Sequence, residues 1–210
     1  MNNPLILVGG GGHCKSVIDV AESAGYTILG ILDKPDEVGK MVLGYEVIGV
    51  DDDIPLYVDK AEFIITVGFI KDPTIRIKLY NKVLNAGGKF ATLIASTAHV
   101  SKYATIGTGT VIMHQAVVNA CAVVGDNVIV NTFANIGHDV SVGNYCHIST
   151  GAMICGNAVI ADETFVGSQS VINQGVHFAG GIIASLSVLT KSTTERGIYA
   201  GSPAKLINTL

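Results

Sequence analysis

A six-residue repeat covers residues 94–183 and constrains the fold of this chain more than any other feature. Counted from Ile94 in steps of six, fifteen consecutive positions are apolar, and fourteen of them are Ile or Val. The position four residues after each of these is mostly small and never charged. The apolar positions are Ile94, Val100, Ile106, Ile112, Val118, Val124, Val130, Ile136, Val142, Ile148, Ile154, Ile160, Val166, Ile172 and Phe178.

A period of six fits neither the 3.6-residue turn of an α-helix nor the alternation of a half-buried strand. It is typical of a hexapeptide parallel β-helix, in which each step forms one short strand and one turn. Stacked coils place the aliphatic side chains on top of one another in a continuous core. Three hexads per coil make a triangular prism, so the fifteen hexads predict five coils. The alternative is an ordinary β-sandwich with fortuitous spacing.

Composition and charge narrow the class of protein further. The chain contains no continuous apolar stretch of about 18 residues, so we expect no transmembrane helix. Its N-terminal sequence lacks the basic region and cleavage site of a signal peptide, which makes a cytoplasmic location the default expectation. A net charge of −4 without a basic run argues against a nucleic-acid partner. Reduced thiols are expected at the four cysteines, which show no CxxC spacing: Cys14, Cys121, Cys146 and Cys155.

The N-terminal segment reads as a βαβ unit. Residues 4–8 predict a short buried strand, four glycines follow at once, residues 14–25 have helical spacing, and residues 26–32 form a second strand. A glycine-rich first turn in such a unit points backbone N–H groups and a helix N-terminus at an anion. Each glycine costs backbone entropy, so four in a row favour a ligand lying close to the backbone. A tight turn without a ligand is the alternative.

Two further features qualify the comparison with dinucleotide-binding turns. The third glycine of the dinucleotide fingerprint is replaced by Cys14, so the match to that fingerprint is incomplete. Asp33 ends the second strand about twenty residues after the turn, where an acid can accept a hydrogen bond from a ribose hydroxyl. A solvated loop acid is the alternative interpretation of Asp33.

The rest of the N-terminal region predicts two more strands and a helix. The strands are expected at residues 45–50 and 62–67 and the helix at residues 74–84, with one apolar face formed by Ile75, Leu79, Val83 and Leu84. We therefore expect a small α/β domain with a parallel sheet over residues 1–88. Residues 89–210 are expected to form the β-helix domain and a C-terminal cap. The cap begins near residue 190, where the period breaks, and includes a structured turn at residues 201–205.

Polar residues that interrupt the coils are the candidates for chemistry. His138 and Asp139 are adjacent on a predicted turn. An imidazole can take a proton near neutral pH, and a neighbouring carboxylate can orient it and strengthen it as a base. A surface pair without function is the alternative. A metal site is a weaker interpretation, because His138, His147 and His114 are predicted on three different faces rather than on one element.

Taken together, the glycine-rich βαβ unit, the uninterrupted hexads, the Ile-Gly-His138-Asp139 step and the closing Tyr-Ala-Gly-Ser-Pro-Ala-Lys resemble one family. This is the sialic acid O-acetyltransferase (NeuD-like) family of hexapeptide acyltransferases. Within it, the chain most resembles the N-acetyltransferases that act on nucleotide-linked 4-amino-4,6-dideoxy sugars, of the bacillosamine and perosamine type. The resemblance covers essentially the whole chain.

The resemblance implies a Rossmann-like α/β domain followed by a left-handed parallel β-helix that assembles into a homotrimer. It implies acetyl-CoA as co-substrate in the cleft between neighbouring prisms, no metal, and a role in cell-surface polysaccharide biosynthesis. By motif position, His138 corresponds to the catalytic base and Asp139 to the acid that raises its basicity. The family more often has Glu at that second position, and Asp is one methylene shorter.

The remaining site residues are also assigned by resemblance. Coenzyme contacts fall at His147, Ser168, Leu186 and Lys205. Nucleotide-sugar contacts fall at Gly11, Gly12, His13, Asp33, Lys34, Gly68 and Arg76. Neither the nucleotide base (uridine, thymidine or guanosine) nor the sugar stereochemistry follows from these residues.

The resulting hypothesis is direct acetyl transfer to the C4 amine of the sugar, without a Ser or Cys nucleophile. Three alternatives stay open. The first keeps the fold and transfers acetyl to a hydroxyl of a sugar, sialic acid or serine. The second is a non-catalytic nucleotide-sugar-binding scaffold, and the third is an NAD-dependent oxidoreductase, which leaves the coils unexplained.

Overall fold

The computed structural model describes residues 4–210, which form an α/β domain followed by a parallel β-helix. The α/β domain contains a five-stranded sheet of order β3-β4-β2-β1-β5, parallel throughout except for the β3–β4 hairpin. Its elements are β1 (Leu5–Val8), α1 (Gly12–Ser23), β2 (Ile28–Asp33), β3 (Met41–Val42), β4 (Tyr45–Val50), β5 (Glu62–Ile65) and α2 (Thr74–Asn85), with 3₁₀ turns at Pro35–Glu37 and Asp51–Leu56.

Strand β1 is buried on both faces and lies at the centre of the domain. Leu5 and Leu7 pack with α1, whereas Ile6 and Val8 pack with α2 on the opposite face of the sheet. The chain leaves β1 for β2 on one side and later returns to β5 on the other. The carboxyl ends of β1 and β5 therefore form a topological switch point, which is where open α/β sheets bind ligands.

The buried face predicted for α2 was wrong in part. Ile75 and Leu84 are 64% and 48% exposed, whereas Arg76 and Tyr80 are buried beside Leu79 and Val83. The reason is that α2 packs on the sheet along one side and on the β-helix along another. Arg76 is buried by hydrogen bonds to backbone carbonyls of both domains, and Tyr80 packs against the rings of Phe90 and Tyr145. A hydropathy pattern does not register such contacts.

The β-helix has five complete coils of three strands each, as the repeat predicts. They are β6 (Leu93–Ile94), β7 (His99–Val100), β8 (Thr105–Ile106); β9 (Val111–Ile112), β10 (Val117–Val118), β11 (Val123–Val124); β12 (Ile129–Val130), β13 (Asn135–Ile136), β14 (Ser141–Val142); β15 (His147–Ile148), β16 (Met153–Ile154), β17 (Val159–Ile160); β18 (Phe165–Val166), β19 (Val171–Ile172) and β20 (His177–Phe178). The first, second and third strands of successive coils stack in parallel as walls 1, 2 and 3 of a prism.

The predicted aliphatic positions face inward and form one continuous core. Ile136, for example, stacks between Val118 and Ile154 in the registers of the neighbouring coils. The small positions lie in the same core, and Cys146 is one of them, fully buried. Five coils thus share a hydrophobic interior that no single coil could form.

The period ends at the top of the prism. A partial sixth coil consists of β21 (Gly181–Ile183) and β22 (Val188–Leu189), and Ile183 pairs with Val166 one residue earlier than the repeat requires. The chain then forms an antiparallel hairpin of β23 (Gly197–Gly201) and β24 (Ala204–Thr209), which extends wall 1. The turn predicted at residues 201–205 is the turn of this hairpin.

The three walls differ in what covers them. On wall 1 the outward side chains Val111, Ile129 and His147 are buried, because the α/β domain packs over this wall. On walls 2 and 3, outward side chains such as Met153 and Val123 stay 47% and 48% exposed. No helix within residues 4–210 is long and apolar enough to cross a membrane.

Candidate active site

The glycine-rich turn forms one edge of a cleft of about 510 Å³ at the switch point. Gly9 has φ +108°, and a Cβ there would lie 2.5 Å from Val67 Cγ2, so only glycine fits. Helix α1 begins at Gly12, two residues earlier than the sequence suggests, with Gly11 as its N-cap. The first turn of α1 contains no acidic residue. Its unpaired N–H groups and the positive end of its dipole suit an anion.

Six of the seven residues assigned to the nucleotide sugar line this cleft. They are Gly11, Gly12, His13, Asp33, Lys34 and Gly68. The structure adds Thr66, Val67 and the acids Asp36, Glu37 and Asp51, which the sequence analysis did not identify. Asp36 and Asp51 closely follow the ends of β2 and β4, so their positions at the carboxyl edge of the sheet were the available signal.

Asp33 fixes the shape of the turn. Its Oδ2 accepts a hydrogen bond from the N–H of Gly10 at 2.6 Å, and its Oδ1 accepts one from the N–H of Lys34 at 2.8 Å. A Cβ at Gly10 would lie 2.9 Å from Asp33 Oδ2, so the close approach of the carboxylate also requires glycine. Both oxygens retain capacity to accept a further bond, since each carboxylate oxygen has two lone pairs.

Arg76, the seventh residue, lies beside the cleft but does not line it. Its side chain is 1% exposed. Nη1 donates to the carbonyl oxygens of Ile65 and Val67 at 2.7 and 2.9 Å, and Nε donates to the carbonyl oxygen of Asn127 at 3.2 Å. Burial lowers the pKa of Arg76 to about 9.

Two buried histidines lie at the junction of the domains, with ring centroids 6.4 Å apart. Burial lowers the pKa of His147 to about 4, while a hydrogen bond to a backbone carbonyl acts in the opposite direction and the charge of Arg76 lowers the pKa further. Burial lowers the pKa of His13 to about 3, with smaller contributions from Arg76 and His147. Both imidazoles are therefore neutral near pH 7.

His147 connects the β-helix to the α/β domain. Its Nδ1 donates to the carbonyl oxygen of Phe69 at 2.8 Å, because a carbonyl can only accept. In that tautomer Nε2 accepts from Asn131 Nδ2 at 3.2 Å. The ring also packs edge-on against Phe69 and Phe165. The residue assigned to the coenzyme is thus fixed at the domain junction and 8% exposed.

His138 and Asp139 lie on the corner between walls 2 and 3. The Nδ1 of His138 is 2.7 Å from Oδ2 of Asp139, and both side chains are more than half exposed. Because a carboxylate only accepts, Nδ1 carries the proton and Nε2 is free to accept one. The ring lies over Gly156 of the next coil, where a Cβ would be 2.6 Å from Cε1 and Nε2.

The other residues assigned to the coenzyme gather at the upper end of the corner between walls 1 and 2. Ser168 Oγ is 2.9 Å from Ser149 Oγ, and the Ser168 carbonyl accepts from the N–H of Leu186 at 3.0 Å. Leu186 is 70% exposed. Ser187 Oγ accepts from the N–H of Gly201, so the hairpin turn before Lys205 lies beside this corner.

One chain does not bring all of these residues together. The cleft belongs to the α/β domain, which covers wall 1, whereas His138 lies on the corner opposite that wall. In a triangular prism the two positions point in different directions.

The four cysteines and His114 lie outside the cleft. All four cysteines are free, and burial raises the pKa of Cys146 to about 12, so this thiol is not a nucleophile. Within residues 4–210, no group of three His, Cys, Asp or Glu side chains could hold a metal ion. His114 instead contacts Asp19 and Thr97 between α1 and the β-helix.

Comparison with known proteins gives consistent results over both domains. Residues 4–83 match the PglD N-terminal domain family. The acetyltransferase domain of PglB from Neisseria gonorrhoeae is 32% identical, and the alignment covers 98% of this chain and 100% of that one with a TM-score of 0.90. PerB from Caulobacter crescentus, solved in complex with CoA and GDP-perosamine, is 28% identical over 97% of both chains with a TM-score of 0.89.

A curated relative is the uncharacterized protein L142 of Acanthamoeba polyphaga mimivirus, 33% identical over 120 residues. That alignment covers 57% of this chain and only 23% of the viral protein. WeeI from Acinetobacter baumannii, at 20% identity and a TM-score of 0.81, shares the fold. With its Rossmann-like domain and its left-handed parallel β-helix of hexapeptide repeats, the chain belongs to the NeuD-like family of nucleotide-sugar acyltransferases.

Proposed function

We propose that this protein is an acetyl-CoA-dependent N-acetyltransferase that acts on the C4 amine of a nucleotide-linked 4-amino-4,6-dideoxy sugar. The observation that carries the proposal is the similarity over the whole chain to PerB, which was solved with CoA and GDP-perosamine. The PglB acetyltransferase domain, solved with acetyl coenzyme A, is similar over 99% of this chain. The cleft and the His138–Asp139 pair supply the two parts that such a reaction needs.

In the proposed reaction His138 acts as general base. Its Nε2 takes a proton from the sugar C4 ammonium, or from the amine as the nitrogen attacks the thioester carbonyl. Asp139 holds the imidazole in the tautomer that leaves Nε2 free and stabilises the imidazolium that forms. A backbone N–H at the coil edge stabilises the oxyanion as the C–N bond forms. The C–S bond then breaks, and the departing sulfur takes up the proton still on the nitrogen or the one held by His138, so coenzyme A leaves as the thiol.

The cleft would bind the nucleotide diphosphate of the sugar. Gly11, Gly12 and His13 at the start of α1 line it and would offer their N–H groups to the phosphates, and Lys34 is the one Lys or Arg among its lining residues. Asp33 would keep the turn in shape while it accepts from a ribose hydroxyl. We assign the coenzyme to the corner between walls 1 and 2, along Ser168, Leu186 and Lys205, with its thioester end toward His147.

A neighbouring copy of the chain would complete the site. The cleft lies over wall 1 and His138 lies on the opposite corner, so one chain does not present the base to its own cleft. Outward apolar side chains on walls 2 and 3, including Val123, Met153 and Val159, are exposed and suit contacts between prisms. A homotrimer would place the His138 corner of one prism against the cleft of the next.

The test is thiol release from acetyl-CoA against a panel of UDP-, dTDP- and GDP-linked 4-amino-4,6-dideoxy sugars, with wild type and His138→Ala compared. We expect release with one amino sugar and a large loss in the variant. Release only with a hydroxyl acceptor would keep the fold assignment and make the protein an O-acetyltransferase. Full activity of His138→Ala would refute the assignment of the base.

Subunit mixing tests the shared site. Gly12→Leu would fill the open space at the start of α1, where no atom lies within 4 Å of an added Cβ. His138→Ala and Gly12→Leu should each be inactive alone. If the base and the cleft come from different chains, refolding the two variants together should restore about a quarter of wild-type activity. A site is intact when its cleft comes from a His138→Ala chain and its base from a Gly12→Leu chain, and random mixing gives that pair in about one site of four. If verified mixed trimers recover no activity, the base and the cleft of each site belong to the same chain.

A further inference from the structure

We propose that residues 65–69, here called the bridge segment, fix the spacing between the nucleotide cleft and the β-helix, and that Arg76 is the positioning residue that holds them. This inference rests on the proposed function. It assigns Arg76 a role without contact to nucleotide, sugar or coenzyme, in place of the direct substrate contact that motif position suggests.

The first observation is the set of contacts made by the Arg76 guanidinium. It donates to two carbonyl oxygens of the bridge segment, those of Ile65 and Val67, and to one of the β-helix, that of Asn127. One buried side chain thus joins the bridge segment to the β-helix, at the corner where the second coil passes into the third. Thr66, Val67 and Gly68, in the middle of the bridge segment, line the cleft itself.

The second observation is that the far end of the bridge segment is held independently. His147, on the fourth coil, donates to the carbonyl oxygen of Phe69. The Phe69 ring is 9% exposed and packs with Phe165 and Ile182 on wall 1. The segment is therefore fixed to the β-helix near both ends, and its middle part is the wall of the nucleotide cleft.

The third observation concerns charge. Among residues 4–210, no carboxylate forms a salt bridge with Arg76. A buried cation without an anionic partner is costly, and an apolar side chain would avoid that cost. What the guanidinium provides is a rigid planar set of five donors that reaches three carbonyls in two directions, which a lysine ammonium cannot reproduce. The geometry of the contacts explains why arginine is used here.

Such a bridge matters because the proposed reaction joins two substrates. The sugar nitrogen must meet the thioester carbonyl, and the nucleotide is held by the α/β domain while the coenzyme is held by the coils. A misplacement of about 1 Å between reacting groups can lower the rate by about a hundredfold. Loss of the bridge should therefore lower kcat while each substrate still binds alone.

The experiment compares Arg76→Met and Arg76→Lys with a matched control, Tyr80→Phe. Tyr80 also joins α2 to the β-helix, through a 3.1 Å hydrogen bond to Thr108, but its hydroxyl makes no hydrogen bond to the bridge segment. For Arg76→Met we expect kcat to fall by roughly 30- to 100-fold. The Kd for GDP, UDP or dTDP, whichever the wild type binds, should change less than about threefold, because no direct contact is lost. Arg76→Lys should recover part of kcat, and Tyr80→Phe should resemble wild type.

A rise of about tenfold or more in the nucleotide Kd with kcat unchanged would make Arg76 a direct ligand and overturn the proposal. So would an unchanged kcat in a folded Arg76→Met protein. Should Arg76→Met fail to fold, Phe69→Leu tests the other end of the bridge segment and should give the same fall in kcat without loss of nucleotide binding.

Hydrogen exchange separates failure of this inference from failure of the proposed function. In Arg76→Met, the amides of residues 66–69 should exchange at least about tenfold faster, whereas those of β1 should not change. This readout needs no substrate. If exchange at residues 66–69 is faster in Arg76→Met but the wild type acetylates no amino sugar, only the proposed reaction is refuted. If exchange there is unchanged, only the role of the bridge segment is refuted.

Discussion

The Nδ1 of His138 lies 2.7 Å from the Oδ2 of Asp139, the next residue in the chain. Asp139 has φ +58°, in the left-handed region where Asn and Asp are the most tolerated residues other than glycine. The corner of the β-helix therefore supplies both the backbone conformation and the acid. The Asp side chain is long enough to reach the imidazole of the residue before it.

Asp139→Asn should lower kcat by roughly 10- to 100-fold, because the amide neither carries the charge that stabilises an imidazolium nor fixes the tautomer of His138. Asn keeps the left-handed backbone, so the melting temperature should stay close to that of wild type. Steady-state kinetics at saturating substrates and thermal denaturation give the two values. Glu163→Gln is the matched control, since Glu163 is another acid with a left-handed backbone on a different corner. Equal activity of Asp139→Asn and wild type would contradict a role for the carboxylate.

Gly156→Ala should inactivate the enzyme without unfolding it. The added Cβ would lie 2.6 Å from His138 Cε1 and Nε2, which belong to an exposed side chain that can swing away. Gly137→Ala is the contrasting variant: there the added Cβ meets the backbone of the next coil, 2.7 Å from the Gly156 N, so it should cost about 1–3 kcal/mol of stability. The free energy of unfolding in urea and kcat, both measured for each variant, check the two expectations. An active Gly156→Ala protein would show that the ring position is not required.

The coils could be predicted from the sequence because their pattern is local. Each hexad places its own aliphatic residue inward, as Ile136 does, and only stacking of neighbours is needed to complete the core. The glycine turn and the helix that follows it could also be predicted, since both depend on residues within one βαβ unit. The start of α1 was misplaced by two residues because glycine at its first positions carries no helix signal.

The junction between the domains was not predictable in the same way. Family resemblance assigned Arg76 to the nucleotide sugar, but no pattern indicated that it is buried against the carbonyl oxygens of Ile65, Val67 and the distant Asn127. Family resemblance assigned His147 to the coenzyme, but no pattern indicated its bond to Phe69. Contacts of this kind depend on how two domains meet, and periodicity within each domain carries no information about that.

Asp33→Asn should weaken nucleotide binding because Asp33 accepts from two N–H groups at once. An asparagine side chain has a single oxygen, so either the N–H of Gly10 or that of Lys34 would face an NH₂ group. The lost bond should cost about 1–3 kcal/mol, and the Kd for the nucleotide should rise roughly tenfold as the turn relaxes. Isothermal titration with GDP, UDP and dTDP measures the effect. Asp36→Asn, which changes a cleft acid without such bonds, is the control, and an equal loss in both variants would contradict the role of Asp33 in shaping the turn.

The stability of the protein should fall as the pH drops from about 6.5 toward about 4, because of His147 and His13. Their pKa values are lowered by burial to about 4 and about 3. In the unfolded chain both have ordinary values near 6.5 and bind protons first. The stabilisation from the neutral imidazoles is therefore complete above the unfolded pKa and is lost as pH falls toward the folded pKa.

Urea denaturation between pH 5 and 6 isolates this contribution from the acids. In the lower part of that window both histidines are protonated in the unfolded chain and neutral in the folded protein. The free energy of unfolding should therefore fall by up to about 2.7 kcal/mol for each unit by which the pH is lowered. His147→Asn keeps a donor for the Phe69 carbonyl but cannot titrate, so its slope should be about half as steep. His99→Asn, at an exposed histidine, should keep the wild-type slope. A His147→Asn slope equal to that of wild type would show that His147 is protonated in the folded protein.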